Sequence, residues 1–215
     1  MRLLALAVLV ISCAGGTPRH AEIPIAAPAA YPGVLKPPAE LHPDFSVRQT
    51  LVIHAKDGEG KPVDAELDAV LQKQGDTLLV LGFGPMNTKA FTLTQKADKI
   101  TFDQYAGPQL PFSPRNIVVD IHRVYFMRLP PPSDPAFTGA LEGELNGEHV
   151  VETWKAGSLR SLVFTRPAEP ALEGAIRVQL GDGCTLASCE PKTASLRNEW
   201  FGYSLAIESE DYEKL

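Results

Sequence analysis

Alternation constrains this chain more than any other feature. From Val63 through Asp64, Ala65, Glu66, Leu67, Asp68, Ala69, Val70 and Leu71 to Gln72, apolar and polar residues exchange places almost without error. A period of two predicts a strand with one buried and one wet face. The same rhythm returns at Ala90 to Thr94 and at Lys99 to Asp103, joined by a short Lys96-Ala97-Asp98 turn. Before them, Gly75-Asp76 turns the chain into Thr77 to Phe83, which is nearly all apolar. Val47 to Ala55 is a β-branched run that ends in the loop Lys56-Asp57-Gly58-Glu59-Gly60. Links this short predict antiparallel neighbours.

One helix interrupts the strands. Ser113-Pro114 places an N-cap before a proline at the first helical position. Ile117, Val118, Ile121, Val124 and Tyr125 then form a single stripe, and Arg115, Asn116, Asp120, His122 and Arg123 are predicted to cover a solvated side. Leu129-Pro130-Pro131-Pro132 ends the pattern. Asn146-Gly147 signals a tight hairpin between Ala140 to Leu145 and Glu148 to Lys155. Leu159 to Arg166, Ala171 to Leu180 and Phe201 to Glu208 are further strands. About nine or ten strands are too much sheet to lie flat beside one helix. The expected fold is mainly β with one long helix, a curved antiparallel sheet wrapped around that helix and enclosing an apolar hollow.

Three segments carry a resemblance. Leu78-Leu79-Val80-Leu81-Gly82-Phe83-Gly84-Pro85-Met86 turns through a Gly-Pro-Met step into Lys89-Ala90-Phe91-Thr92-Leu93, and the Pro111 to Ile121 segment, with Pro114, Ile117 and Asp120, follows. This order resembles the LolA/LolB type of half-barrel and is similar to an uncharacterised bacterial family of LolB-like lipoproteins with a domain of unknown function. The resemblance implies an envelope lipoprotein that accommodates acyl chains and hands lipid or lipoprotein to the outer membrane.

The amino end fits that address. Met1-Arg2 is followed by nine apolar residues, Leu3 to Ile11. That run is too short to span a bilayer but suits an export signal. Val10-Ile11-Ser12-Cys13 resembles a lipobox, in which cleavage before Cys13 leaves its thiol to carry a diacylglycerol. An ordinary signal cleavage at the neighbouring small residues is the alternative. Three parts are therefore expected: a lipoprotein signal peptide over residues 1–12, the lipidated Cys13 with an Ala/Pro-rich tether over 13–44, for which an arm packed onto the domain through Ile23, Ile25 and Tyr31 is the alternative, and a half-barrel domain over 45–215. Ala14 after the cysteine, following the common enterobacterial pattern, implies an outer-membrane lipoprotein facing the periplasm.

Net charge is −6 and the Lys and Arg residues are scattered, which argues against nucleic acid. Of three cysteines, one is the anchor and Cys184 and Cys189 remain as a disulfide pair. Catalytic groupings are not found. The five histidines are far apart in sequence, with no metal-ligand spacing, and no cofactor motif is present. Asp64, Glu66 and Asp68 read as the wet side of a strand rather than a calcium site. No enzyme activity, metal or cofactor is expected.

The hollow is expected to be lined from the sheet by Leu67, Leu71, Leu79, Leu81, Phe83, Phe91, Leu93 and Phe102. Ile117, Ile121 and Tyr125 are the expected helical contribution. The leading functional reading is a lipoprotein that binds a lipid or acyl chain there. A second is a non-catalytic assembly or scaffold lipoprotein with a protein partner. A third, an envelope hydrolase, requires a histidine beside a serine or carboxylate within a cleft.

Overall fold

The computed structural model describes residues 18–24, 33–56, 59–106, 113–166 and 174–215. The signal segment and Cys13 lie outside them. The first six strands are β1 (Arg19–Ile23), β2 (Phe45–Lys56), β3 (Pro62–Gln74), β4 (Thr77–Gly84), β5 (Thr88–Lys96) and β6 (Lys99–Gln104). After α1 (Pro114–Tyr125) come β7 (Gly139–Leu145), β8 (Glu148–Lys155), β9 (Ser158–Thr165), β10 (Ile176–Leu180), β11 (Thr193–Asn198) and β12 (Tyr203–Lys214). All twelve form one sheet in the order β1-β6-β5-β4-β3-β2-β12-β11-β10-β9-β8-β7. Two antiparallel meanders meet where β2 pairs with β12, Leu51 opposite Ile207. The chain leaves the sheet beside one edge at β6 and re-enters at the other edge, β7, and α1 lies in that crossing.

The sheet is open and curved. His122 and Arg123 are neighbours on α1, yet His122 bonds Gln95 of β5 at 3.0 Å and Arg123 bonds Glu148 of β8 at 2.8 Å. Those two strands are eight places apart in the order above. On a flat sheet eight steps would separate them by about 38 Å, against a helix about 10–12 Å across.

The helix begins as expected, Ser113 Oγ accepting from the Arg115 amide at 3.3 Å. Its carboxyl end is closed by Arg128, whose guanidinium donates to the carbonyls of Arg123 and Met127 at 3.0 and 2.7 Å, and also to that of Val124. A half-buried cation there satisfies carbonyls that have no partner in the helix. Burial holds the Arg128 pKa down to about 10.

Two expectations change. The segment read as a tether is, in its described parts, seated on the domain. Arg19–Ile23 pairs with β6 as an edge strand, and Leu35 and Leu41 are buried. The Arg115 guanidinium donates to the Gly33 carbonyl at 2.6 Å. Gly33 has φ +113°, and a Cβ there would stand 2.8 Å from Val119. Proline content argued for a free spacer, but prolines between short extended pieces still permit pairing at an edge.

The second change concerns α1. Arg115, Asn116, Asp120, His122 and Arg123 are all buried, whereas Ile117 and Ile121 of the apolar stripe are only half-buried. The side predicted to be solvated is inside the protein. β1 and β11 were also not predicted as strands, and the Cys184–Cys189 disulfide is present.

Candidate ligand-binding cavity

Register assembles the apolar face. Leu71 of β3 stands opposite Val47 of β2 and Val80 of β4, and Val80 stands opposite Leu93 of β5. Beside them, Gln49, Ala69, Gly82 and Phe91 form the next row. The Phe91 ring lies on Gly82, where a Cβ would come within 2.2 Å of the ring. On the other side of β2, Leu205 and Ile207 continue the face through Ile53 and Leu51, and Leu196 follows from β11.

Between this face and the stripe of α1 lies a cavity of about 110 Å³. Its walls are Leu51, Ile53, Leu67, Ala69, Leu71, Val80 and Phe91 from β2 to β5, and Leu196, Leu205 and Ile207 from β11 and β12. Ile117, Ile121, Val124 and Tyr125 close it from the helix, with Gln49, Asp120 and Tyr203 at its margin. One water requires about 10–15 Å³ and two to four polar partners. The space is ample, but the walls offer almost no polar surface.

The polar groups at the margin are turned onto one another. The Tyr203 hydroxyl donates to Asp120 Oδ2, and Arg123 donates to Asp120 Oδ1 at 2.8 Å. The Gln49 amide donates to the Tyr125 hydroxyl and to Ser209 Oγ at 3.2 Å. Burial raises the Tyr125 pKa, so its hydroxyl stays protonated. Arg123 bridges Asp120 and Glu148 with no exposure of its own. Asp120, Arg123 and Glu148 thus put two carboxylates and one guanidinium in a dry setting, tolerable only because they bond each other.

Exposure shows where the cavity opens. Its deep residues, Leu71, Val80, Val124 and Ile207, are buried, while Leu51, Ile53, Leu67, Phe91, Ile117, Ile121 and Leu205 are half-buried. The half-buried set lies toward the β2–β3 and β4–β5 hairpin turns and the start of α1. A second hollow of about 250 Å³ sits at the far end of the helix, between Lys36, His42, His122, Arg128 and Asn146. Burial holds the His122 pKa down to about 3, with the nearby Arg123, Lys36 and Arg115 adding to the effect, so the ring is neutral.

The residues expected to line a hollow divide into three groups. Leu67, Leu71, Phe91, Ile117, Ile121 and Tyr125 stand at the cavity. Leu93 and Phe102 are on the same face but packed in the core beside it. Leu79, Leu81 and Phe83 fall on the other face of β4, where Leu79 pairs with Gln72 and Thr94. In β4 both faces are apolar, so the run does not say which one points inward; only the register does. Gln49, Leu51, Ile53, Ala69, Val80, Leu196, Leu205 and Ile207 were not foreseen. Their alternation was readable strand by strand, but β2 meets β12 across some 150 residues of chain.

Histidine–carboxylate pairs lie elsewhere. His20 reaches Asp103 across β1 and β6 at 2.6 Å, His54 and Asp64 are cross-strand partners at 2.7 Å and His149 reaches Glu144 at 3.4 Å; of these six side chains Asp103 and His149 are part-buried and the rest exposed. Asp64, Glu66 and Asp68 are exposed on the outer face of β3, with Asp68 accepting from Thr50 at 3.1 Å.

Residues 46–211 match a family described as a protein of unknown function, DUF3261, and the chain belongs to that family. No curated protein matches the chain. Among solved structures, it is similar to a domain provisionally described as an outer membrane lipoprotein-sorting protein from Vibrio parahaemolyticus. That likeness has 11% identity and a TM-score of 0.40, and covers 82% of this chain and 87% of that one. A LolA superfamily protein from Nitrosomonas europaea is similar at 10% identity and TM-score 0.44, covering 80% of this chain and 86% of that one. A DUF1329 family protein from Desulfovibrio piger is similar at 11% identity and TM-score 0.37, covering 80% and 85% respectively.

Proposed function

For this DUF3261 member we propose a non-catalytic envelope lipoprotein, held in the outer membrane by acylated Cys13 and facing the periplasm, that carries an acyl chain of a lipid or lipoprotein. The curved sheet wraps α1, and the chain occupies the space left between the helix stripe and the inner face.

One observation carries this reading. The cavity is apolar and opens to the surface, while every ionisable group near it is engaged with another part of the protein. Burying apolar ligand surface in such a site releases roughly 25 cal/mol per Å². A charged or strongly polar ligand would find no partner there. The half-buried Leu51, Leu67, Phe91, Ile117 and Ile121 are surfaces that an acyl chain would cover. The histidine–carboxylate pairs lie away from the cavity walls, which supports a carrier over a hydrolase.

Native mass spectrometry of protein purified without detergent exchange tests this. The expected result is a fraction of molecules carrying a lipid-sized adduct that organic solvent removes. Adduct-free protein that also fails to take up a fluorescent fatty acid would contradict the reading.

A further inference from the structure

We infer that the short stretch between Cys13 and β1 holds the cavity mouth against the bilayer, so that the lipid surface is the partner of the rim formed by Met86, Tyr105 and Phe201. This rests on the anchor and the acyl-chain cavity proposed above, and adds an orientation that neither contains.

β1 starts at the mouth end of the sheet. Arg19, its first residue, pairs with Gln104 at the end of β6, and Ile23, its last, pairs with Ile100. Gln104 in turn stands opposite Phe91, a wall of the cavity. Arg19 therefore sits two strand spacings, about 10 Å, from the cavity wall. Only five residues lie between Cys13 and Arg19, six steps of chain with a reach of about 22 Å at full stretch. The anchor is tied to the mouth end of the sheet. The opposite end, with the β5–β6 turn at Ala97 and Asp98, is a further ~20 Å away along β6.

The rim has the chemistry of a surface that meets lipid. Met86 is 94% exposed on the β4–β5 turn. Its φ of +58° is a left-handed value that methionine seldom adopts, and Asn87 beside it, a residue that tolerates this region, has φ +57°. Tyr105, just past β6, is exposed, and Lys89 Nζ sits 4.4 Å from the centre of its ring. An amphipathic ring beside a long-stemmed cation suits the headgroup layer. Phe201 is exposed on the β11–β12 turn, two residues before Tyr203 at the cavity. All three follow strand ends on the side where β1 starts. An acyl chain could then pass between bilayer and cavity without crossing open water.

Thiol protection on vesicles tests the orientation. Cys184 and Cys189 are bonded to each other and an acylated Cys13 carries no free thiol, so Met86→Cys and Asp98→Cys each introduce a single reactive group. The full lipidated chain is placed in phosphatidylethanolamine–phosphatidylglycerol vesicles and reacted with a bulky maleimide-polyethylene glycol. The expected result is that Met86→Cys reacts at least ~5-fold more slowly on vesicles than in the soluble form lacking residues 1–13, and that Asp98→Cys changes less than ~2-fold. A Gly/Ser insertion of about 20 residues before Arg19, with a typical reach of roughly 25 Å, should weaken the protection. Equal reactivity at both ends, or protection of Asp98→Cys alone, would overturn the inference. Intact mass reports the acylation separately: an unmodified Cys13 would remove the anchor and overturn this orientation, while leaving fatty-acid uptake by the cavity standing.

Discussion

The two faces of α1 differ in a way opposite to that of an ordinary surface helix. Its apolar stripe borders a cavity and stays half-exposed at Ile117 and Ile121, whereas the Arg115, Asp120, His122 and Arg123 face is sealed inside. Solubility alone would favour the reverse. The comparison teaches that polarity decides burial only together with the partners available. Four of the five buried polar side chains bond a group from a distant element: Arg115 the Gly33 carbonyl, His122 Gln95, Arg123 Glu148 and Asp120 Tyr203, while the side-chain oxygen of Asn116 is buried without a hydrogen bond. The apolar side has no such filler, and a ligand would supply one.

The sharpest way to break the comparison is to remove the guanidinium. Arg123→Met leaves Asp120 and Glu148 without their shared cation, and the expected loss is about 3–5 kcal/mol in denaturant unfolding. A loss below about 1 kcal/mol would mean that the polar face is wet after all.

Acid gives a smaller, graded effect. His122 has a folded pKa of about 3 against 6.5 unfolded, so between those values the unfolded chain takes up a proton that the folded chain refuses. Stability from this group is complete above pH 6.5 and falls by up to roughly 1.4 kcal/mol per pH unit below it. Glu152, whose pKa burial raises, works in the opposite direction above its ordinary 4.5 and blunts the fall. Unfolding followed from pH 7 to pH 5 should therefore show a decline that His122→Gln reduces. Parallel curves for the two proteins would contradict the buried, neutral ring.

The smallest effect belongs to the stripe. Ile121→Ala, at a half-buried site facing space that already exists, should cost about 1 kcal/mol, below the usual 2–5 for a fully packed isoleucine. A cost in the full range would mean that the cavity is closed and packed.

Much of the sheet is legible in the amino-acid sequence. Val63 to Gln72 alternates because one face of β3 is wet, and Asn146-Gly147, with φ of +54° and +80°, makes the expected hairpin. The helix was legible from Ser113-Pro114 and the spacing of its stripe. Three features were hidden for physical reasons. β1 is a five-residue edge strand among prolines, with no alternation to read. Leu79, Leu81 and Phe83 could not be assigned a face because both faces of β4 are apolar. Burial of Asp120 and Arg123 depends on Glu148 and Tyr203, which no local pattern links to the helix. A sequence shows which side of a helix is polar, but its environment is set by contacts remote along the chain.

The central claim, that the space beneath the stripe of α1 receives an acyl chain, is tested most directly by filling it. Fluorescent fatty-acid titration of the wild-type protein and Leu67→Trp, with thermal unfolding as a check on the fold, makes the comparison. The account expects saturable uptake by the wild type and at least ~10-fold weaker uptake by Leu67→Trp at similar stability, a difference of about 1.4 kcal/mol. Equal uptake by both proteins, or none by either, would contradict it.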